Sequence, residues 1–146
     1  MDIRFESRDT FHVSGYSVET TYSSHEKDTG LLWEKYGDKL KSISENGSCL
    51  YGATWYTDKE NEKYSYLLGI EKQDKTPIDK FATCVEIPAA YYTVATVPDN
   101  MTLFDAWVEL FEKGLPSVGC DYKEGEKLFE FFNEHGVCEI WVPVVK

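Results

Sequence analysis

The first half of the chain alternates between short strand-like segments and one helical pattern. Segment 11–22 is rich in β-branched and aromatic residues, which is typical of a strand. Segments 49–57 and 63–71 have the same character and flank the polar residues DKENE, so they predict a hairpin. Between segments 11–22 and 49–57, the polar run SSHEKDTG predicts a loop. The apolar spacing after it predicts an amphipathic helix from about 30 to 44, with Leu32, Trp33, Tyr36, Leu40 and Ile43 on one stripe.

The second half repeats this order of elements. Segment 83–97 predicts a strand, and segment 102–113 predicts a helix that ends at Gly114 and Pro116. Segments 127–133 and 137–145 predict a second strand pair, although the first of them also fits a short helix. At the start of this helix, Thr102 and Asp105 have the spacing of a capping box. Its apolar stripe consists of Phe104, Trp107, Val108 and Phe111.

The order β-α-β-β therefore occurs twice, at about 1–75 and 80–146, within what we expect to be one domain over 1–146. Such a duplication predicts an α+β fold in which two pseudo-symmetric βαββ units share an antiparallel sheet, with both helices on one face. The groove between the halves is then the expected place for a ligand.

Charge and composition narrow the classes of function. The net charge of −11 predicts no direct binding to nucleic acid and no adhesion to an anionic membrane. No apolar run approaches the length of a membrane span, and the polar N-terminus lacks a signal region, so we expect a cytoplasmic protein.

The four cysteines form no CxxC pair and indicate free thiols, and no metal or cofactor is expected. The acidic surface also suits a basic protein partner.

One carboxylate stands beside an indole near the C-terminus. Glu139 and Trp141 are two apart in a predicted strand, so they share a face. In an apolar cavity this pair suits a flat cation, through charge and π contact. A buried Glu139 also suits a general base, because burial raises the pKa of a carboxyl group. The ordinary alternative is a solvated Glu139 next to a core Trp141.

Other aromatic residues are candidates for the same pocket. Tyr66 has a hydroxyl suited to orienting a ligand or a water, and Phe104 and Trp107 are placed to form a roof. Tyr66 is equally typical of a core tyrosine, whereas an aromatic stripe such as that of Phe104 and Trp107 more often belongs to the core. The secondary pocket candidates are Tyr51, Glu86 and Glu130.

Four stretches together resemble the GyrI-like small-molecule-binding family, which also supplies effector domains of AraC-type and MerR-type multidrug regulators. They are TFHVSGYSVET, LYGATWYTDKENEKYSYLLGIE, EIPAAYYTVATV and EIWVPVV, in the family's order and over nearly the whole chain. The third departs from the family's Ile-Pro-Ala-Gly-x-Tyr pattern, because Ala90 stands in the glycine place.

The resemblance implies two βαββ units, a pocket glutamate at Glu139 and a tyrosine at Tyr66. It implies a stand-alone sensor module that binds aromatic or cationic ligands. Stand-alone members include hydrolases of cyclopropane-bearing DNA alkylators, in which Glu139 would be the general base with Tyr66 beside it, and a protein that modulates DNA gyrase. The sequence leaves open the choice between ligand binding with detoxification and an acidic module that binds gyrase.

Overall fold

The computed structural model describes residues 1–145 and contains nine strands and two main helices. Helix α1 spans His25–Ile43 and helix α2 spans Leu103–Glu109. After α2 the chain stays helical through a π-helical turn, Leu110–Gly114, and a last turn, α3, at Leu115–Ser117. The strands are β1 Ile3–Arg8, β2 Phe11–Thr21, β3 Leu50–Asp58, β4 Lys63–Lys72, β5 Thr83–Ile87, β6 Ala90–Thr96, β7 Asp121–Tyr122, β8 Leu128–Phe132 and β9 Cys138–Val145.

The sheet is antiparallel, with the order β1-β6-β9-β8-β3-β4-β2-β5, and β7 pairs with the end of β9. Two βαββ units are visible in this order. In the first, β4 lies between β2 and β3, and in the second, β9 lies between β6 and β8. The units meet where β3 pairs with β8, at the centre of the sheet. The predicted α+β fold of two pseudo-symmetric units is therefore confirmed.

The first strand of each half pairs with the other half. Strand β1 precedes the first unit and pairs with β6 of the second, and β5 precedes the second unit and pairs with β2 of the first. We call β1 and β5 the arms of the two units. These two arms form the outer strands of the sheet order. The exchange ties the halves together at both ends of the sheet as well as at its centre.

Both helices pack on one face of the sheet, as predicted. Helix α1 covers an apolar cluster that includes Leu50 and Leu68, and the α2 region covers one that includes Ile140 and Val142. On the opposite face, here called the inner face, residues from seven strands between β2 and β9 pack into a single cluster. Aromatic rings fill that inner cluster, among them Phe11, Tyr51, Tyr92, Phe129 and Trp141.

Some element boundaries differ from the predictions. Helix α1 begins at His25, so part of the predicted loop SSHEKDTG is helix. Its first turn is polar, and apolar periodicity therefore does not reveal it. The predicted strand 83–97 is two strands that break at Pro88 and Ala89 and pair with different partners. Gly114 and Pro116 do not end the second helix, since the chain remains helical to Ser117.

Two short strands, β1 and β7, were not predicted. Strand β1 has half-buried and exposed positions but no fully buried one, which suits its place as an outer strand. Within the described residues, no helix has the length and apolar character needed to cross a bilayer.

Candidate functional site

A cavity of about 500 Å³ opens on the helical face of the sheet, where the two units meet. This volume is typical of sites for small molecules. Strands β3, β4 and β8 form its floor, the start of α1 forms one side, and α2 with the π-helical turn forms the other. The lining residues are mostly aromatic or apolar: Tyr22, His25, Thr54, Tyr56, Lys59, Tyr64, Phe104, Trp107, Val108, Phe111, Tyr122, Glu124, Leu128 and Glu130.

Glu130 is a buried carboxylate in the floor of this cavity, with 1 % of its surface exposed. One carboxylate oxygen accepts a hydrogen bond of 2.9 Å from the Tyr66 hydroxyl, and the other accepts one of 2.6 Å from Trp107 Nε1. Burial raises the pKa of Glu130 to about 7, although both hydrogen bonds oppose the rise. Glu130 is therefore close to half ionised at neutral pH.

Glu130 lacks a basic partner among residues 1–145, where its two hydrogen-bond donors are both neutral. Buried carboxylates are normally paired with a cation or a metal, because desolvation of an isolated charge is costly. The position is thus unfavourable for the folded chain alone. A positive group in the cavity would offset this cost.

Gly52 makes room for this carboxylate. It lies opposite Glu130 in the β3–β8 pair and opposite Leu68 in the β3–β4 pair. A Cβ atom at residue 52 would lie 2.3 Å from the Tyr66 hydroxyl and 2.7 Å from Glu130 Oε1. Elements α1 and α2 begin 78 residues apart, as do β3 and β8, so Gly52 and Glu130 also occupy equivalent positions in the two halves. The duplication therefore places a single carboxylate at the junction, with a glycine as its counterpart.

Aromatic rings from both halves border the cavity. On one side the hydroxyl of Tyr22 hydrogen-bonds that of Tyr56, and Tyr64 lies next to both rings. On the other side Trp107 stacks on Phe111 with 6.1 Å between the ring centroids. Faces of aromatic rings attract cations and stack on flat molecules.

The rim of the cavity carries one exposed ion pair. Lys59, from the β3–β4 turn, pairs with Glu124, which lies between β7 and β8. Phe104 is also open to solvent, with 51 % of its surface exposed. The rim is thus mixed in character, whereas the floor is apolar apart from Glu130, Thr54 and the ends of the tyrosine rings.

The predicted site residues fall on two different faces. Tyr66, Phe104 and Trp107 lie at the cavity, Tyr66 through its hydrogen bond to Glu130. Glu139 and Trp141 share the other face of β9, where Trp141 Nε1 donates a 3.2 Å hydrogen bond to Glu139. Neither of them lines the cavity.

Glu139 has its own cationic partner on the inner face. Arg4 Nη1 lies 2.9 Å from Glu139 Oε2 and completes an ion pair between β1 and β9. Tyr51, another predicted ligand-binding residue, also belongs to the inner cluster, and its hydroxyl donates to Glu71. Glu86 lies on the outer strand β5 near His12 and likewise does not line the cavity.

The sequence pattern favours Glu139 over Glu130, and it gives no sign that His25, Tyr22, Tyr56 or Tyr64 lines a cavity. One signal for Glu130 was present. It is a lone carboxylate in the apolar run LFEFF, where alternation does not require a polar residue. Gly52 in the neighbouring strand was a second signal, because an interior glycine often marks a close approach of another group.

Comparison with solved structures identifies the class of this fold. An integron cassette protein from Vibrio cholerae superposes with a TM-score of 0.74 at 17% identity, covering 98% of this chain and 95% of that one. SAV2435, solved bound to tetraphenylphosphonium, gives 0.76 at 14% identity, with coverage of 99% and 94%. The EcmrR C-terminal domain gives 0.59 at 17% identity, with coverage of 99% and 98%. The architecture, with its cavity between two βαββ units, is the GyrI-like fold.

Within this class, the model of one family matches residues 4–144, and its description is Cass2, integron-associated effector binding protein. The chain belongs to this family. Among curated proteins, no sequence matches the chain significantly.

Proposed function

We propose that this protein binds a small, largely aromatic cation in the cavity, with Glu130 as the charge partner of the ligand. The observation that carries the proposal is the buried Glu130 carboxylate, which two neutral groups hold in place and no basic side chain of residues 1–145 neutralises. The membership of the effector-binding family supports a small-molecule ligand. The neighbour SAV2435, solved with tetraphenylphosphonium, supports a cationic one.

The cavity supplies three contributions to such binding. Removal of the ligand's apolar surface from water is favourable by about 25 cal/mol per Å². The faces of the surrounding rings add cation–π attraction, of which Trp107 is the strongest candidate source. The Glu130 charge acts inside an apolar enclosure, where the attraction between opposite charges is stronger than in water.

Glu130 takes over, in this proposal, the role that the family resemblance assigned to Glu139. Glu139 already pairs with Arg4 on the inner face, whereas Glu130 lines the cavity. Tyr66 is a positioning residue, because its hydroxyl holds Glu130 and its ring is buried. Trp107 has both roles, since it binds Glu130 and lines the cavity.

Hydrolysis of a reactive ligand is a second candidate function, and one observation favours it. A carboxyl group with a pKa of about 7 is well matched to general-base catalysis at neutral pH. A hydrolase from Listeria innocua has a similar fold, with a TM-score of 0.54 at 9% identity. Product formation from an electrophilic aromatic substrate, lost on Glu130→Gln, is the result expected of this activity. The alternative of an acidic module that modulates DNA gyrase stays a prediction from the family resemblance and the charge.

Calorimetric titration with a matched pair of probes tests the binding proposal. Tetraphenylphosphonium carries a permanent positive charge, and triphenylphosphine oxide is a neutral compound with three of the same rings. The wild-type protein is expected to bind the cation with one site per chain and at least tenfold more tightly than the neutral probe. Equal affinity for the two probes, or no binding of the cation, would contradict the proposal.

A further inference from the structure

His25 is a polar side chain in the wall of an otherwise mainly aromatic cavity. It is the first residue of α1 and is half-buried. Its Nδ1 atom is hydrogen-bonded to the Tyr64 hydroxyl, which fixes the direction of the ring. The edge of the imidazole also meets the Tyr66 ring, with 5.9 Å between centroids and nearly perpendicular planes. Two tyrosines therefore hold His25 in one orientation.

The second ring nitrogen, Nε2, remains available. Within residues 1–145 it has no hydrogen-bond partner, and it is not sealed from solvent, unlike His12 Nε2. Burial lowers the pKa of His25 despite the nearby carboxylates of Glu26 and Asp28, so the imidazole is neutral at neutral pH. A neutral imidazole with Nδ1 engaged presents either a donor or an acceptor at Nε2, according to its tautomer.

The arrangement places two different polar groups around one tyrosine. The Tyr66 hydroxyl binds the charged group Glu130, and the Tyr66 ring contacts the neutral group His25. Both groups line the same cavity. A ligand that covers the Tyr66 region therefore meets a charge partner at one place and a hydrogen-bond partner at another.

We propose that His25 is a specificity-determining residue that hydrogen-bonds, through Nε2, a neutral polar substituent of the ligand. The ligand class is then an aromatic cation that also carries a hydroxyl or comparable group, held at two points of the cavity. This inference rests on the proposed function, because it concerns the same cavity and the same ligand.

Phenyl-substituted phosphonium ions test the two-point arrangement. The probes are tetraphenylphosphonium and its ortho-, meta- and para-monohydroxylated derivatives, each titrated by calorimetry. A hydroxyl group can donate or accept, so it satisfies either tautomer of His25. The isomers cover the different directions in which the hydroxyl can leave the ring. We expect at least one isomer to bind the wild type about three- to tenfold more tightly than tetraphenylphosphonium, the usual worth of one hydrogen bond.

Two variants of His25 separate its two nitrogens. In His25→Gln the amide reaches the position of Nε2, and in His25→Asn it reaches only that of Nδ1. We expect His25→Gln to keep the preference for the hydroxylated isomer and His25→Asn to lose it. The readout is the ratio of the affinities for the hydroxylated isomer and for tetraphenylphosphonium within each variant, so that a general effect of the substitution on cation binding cancels.

The outcomes distinguish this inference from the proposed function. If tetraphenylphosphonium binds but no isomer is preferred, or if His25→Asn keeps the preference, the role of His25 is overturned while the cation site stands. If no probe binds the wild type, the proposed function fails and the role of His25 fails with it.

Discussion

At the scale of single residues, the site depends on the packing of a glycine against a buried acid. Gly52 and Glu130 face each other across the central strand pair, and the missing Cβ of Gly52 leaves the space that the Tyr66 hydroxyl and the carboxylate fill. The hydrogen bonds from Tyr66 and Trp107 then fix the carboxylate below the cavity. A change of one methyl group at this point therefore affects both stability and binding.

Gly52→Ala should be destabilising by about 1–3 kcal/mol, the range for overpacking in a well-packed interior. Its methyl group would lie far inside contact distance of Tyr66 and Glu130, and both side chains would have to move. Urea unfolding measures the loss. Gly30→Ala is the matched control, because its Cβ meets nothing within 4 Å and alanine favours the helix. Equal stabilities for the two variants would contradict this account of Gly52.

The raised pKa of Glu130 predicts a characteristic dependence of stability on pH. The folded state holds the proton up to about pH 7, whereas the unfolded chain releases it near pH 4.5. The stability from this group is therefore present below about pH 4.5 and is lost as pH rises through 7, by roughly 3 kcal/mol at 1.36 kcal/mol per pKa unit.

Glu130→Gln should remove this pH dependence, since an amide does not ionise. In urea unfolding, the free energy of unfolding of the variant relative to that of the wild type should be higher at pH 8 than at pH 5. A constant difference between the two proteins across this range would show that Glu130 ionises as it does in the unfolded chain.

At the scale of elements, the side of the cavity formed by α2 is short and irregular. Helix α2 has seven residues before a π-helical turn, and both pieces contribute rings that line the cavity, Trp107 from one and Phe111 from the other. Thr102 caps the helix, because its side-chain oxygen accepts a 3.1 Å hydrogen bond from the Asp105 amide. The cap helps to hold Trp107 over Glu130.

Thr102→Ala should cost about 1 kcal/mol of stability, the usual worth of an N-cap. It should also weaken the binding of tetraphenylphosphonium, because a frayed α2 no longer holds Trp107 in place. Thr102→Ser retains the oxygen and should behave like the wild type in both measurements. If calorimetry shows the same affinity for the alanine and serine variants, α2 does not depend on this cap for its position.

Sequence periodicity predicted most elements but missed features that tertiary contacts determine. The apolar stripe of α1 was visible, whereas its polar first turn, which includes the cavity-lining His25, had no periodic signal. The sequence shows a proline at position 88, where the predicted strand breaks. It does not show that β5 and β6 have different partners, because these pairings depend on the exchange of arms between the halves. Local pattern does not specify long-range pairing of this kind.

At the scale of the whole molecule, the duplication creates the site. The two units meet at β3 and β8, and their helices flank the cavity above that pair. The order of elements alone predicted this groove. It did not predict which strand would supply the acid, because alternation assigns relative faces within a strand, and only the register between strands shows which face carries the helices.

The register explains the different positions of the two glutamates. Glu130 pairs with Ile140, whose side chain packs under the α2 region, while Glu139 pairs with Phe131 on the opposite face. A shift of one residue in the β8–β9 pairing would exchange these faces. The family resemblance implies that the acid of the pocket is Glu139 on β9. The strand pairing instead favours Glu130 on the neighbouring strand β8.

The most direct test compares Glu130→Gln with Glu139→Gln by calorimetric titration of tetraphenylphosphonium at pH 8, where Glu130 is mostly ionised. Glu130→Gln should weaken binding by ~2–5 kcal/mol, the scale for loss of one member of a buried charge pair. Glu139→Gln should bind like the wild type, because Glu139 faces Arg4 on the other side of the sheet. Unchanged affinity in Glu130→Gln, or the larger loss in Glu139→Gln, would contradict the assignment of Glu130 as the charge partner.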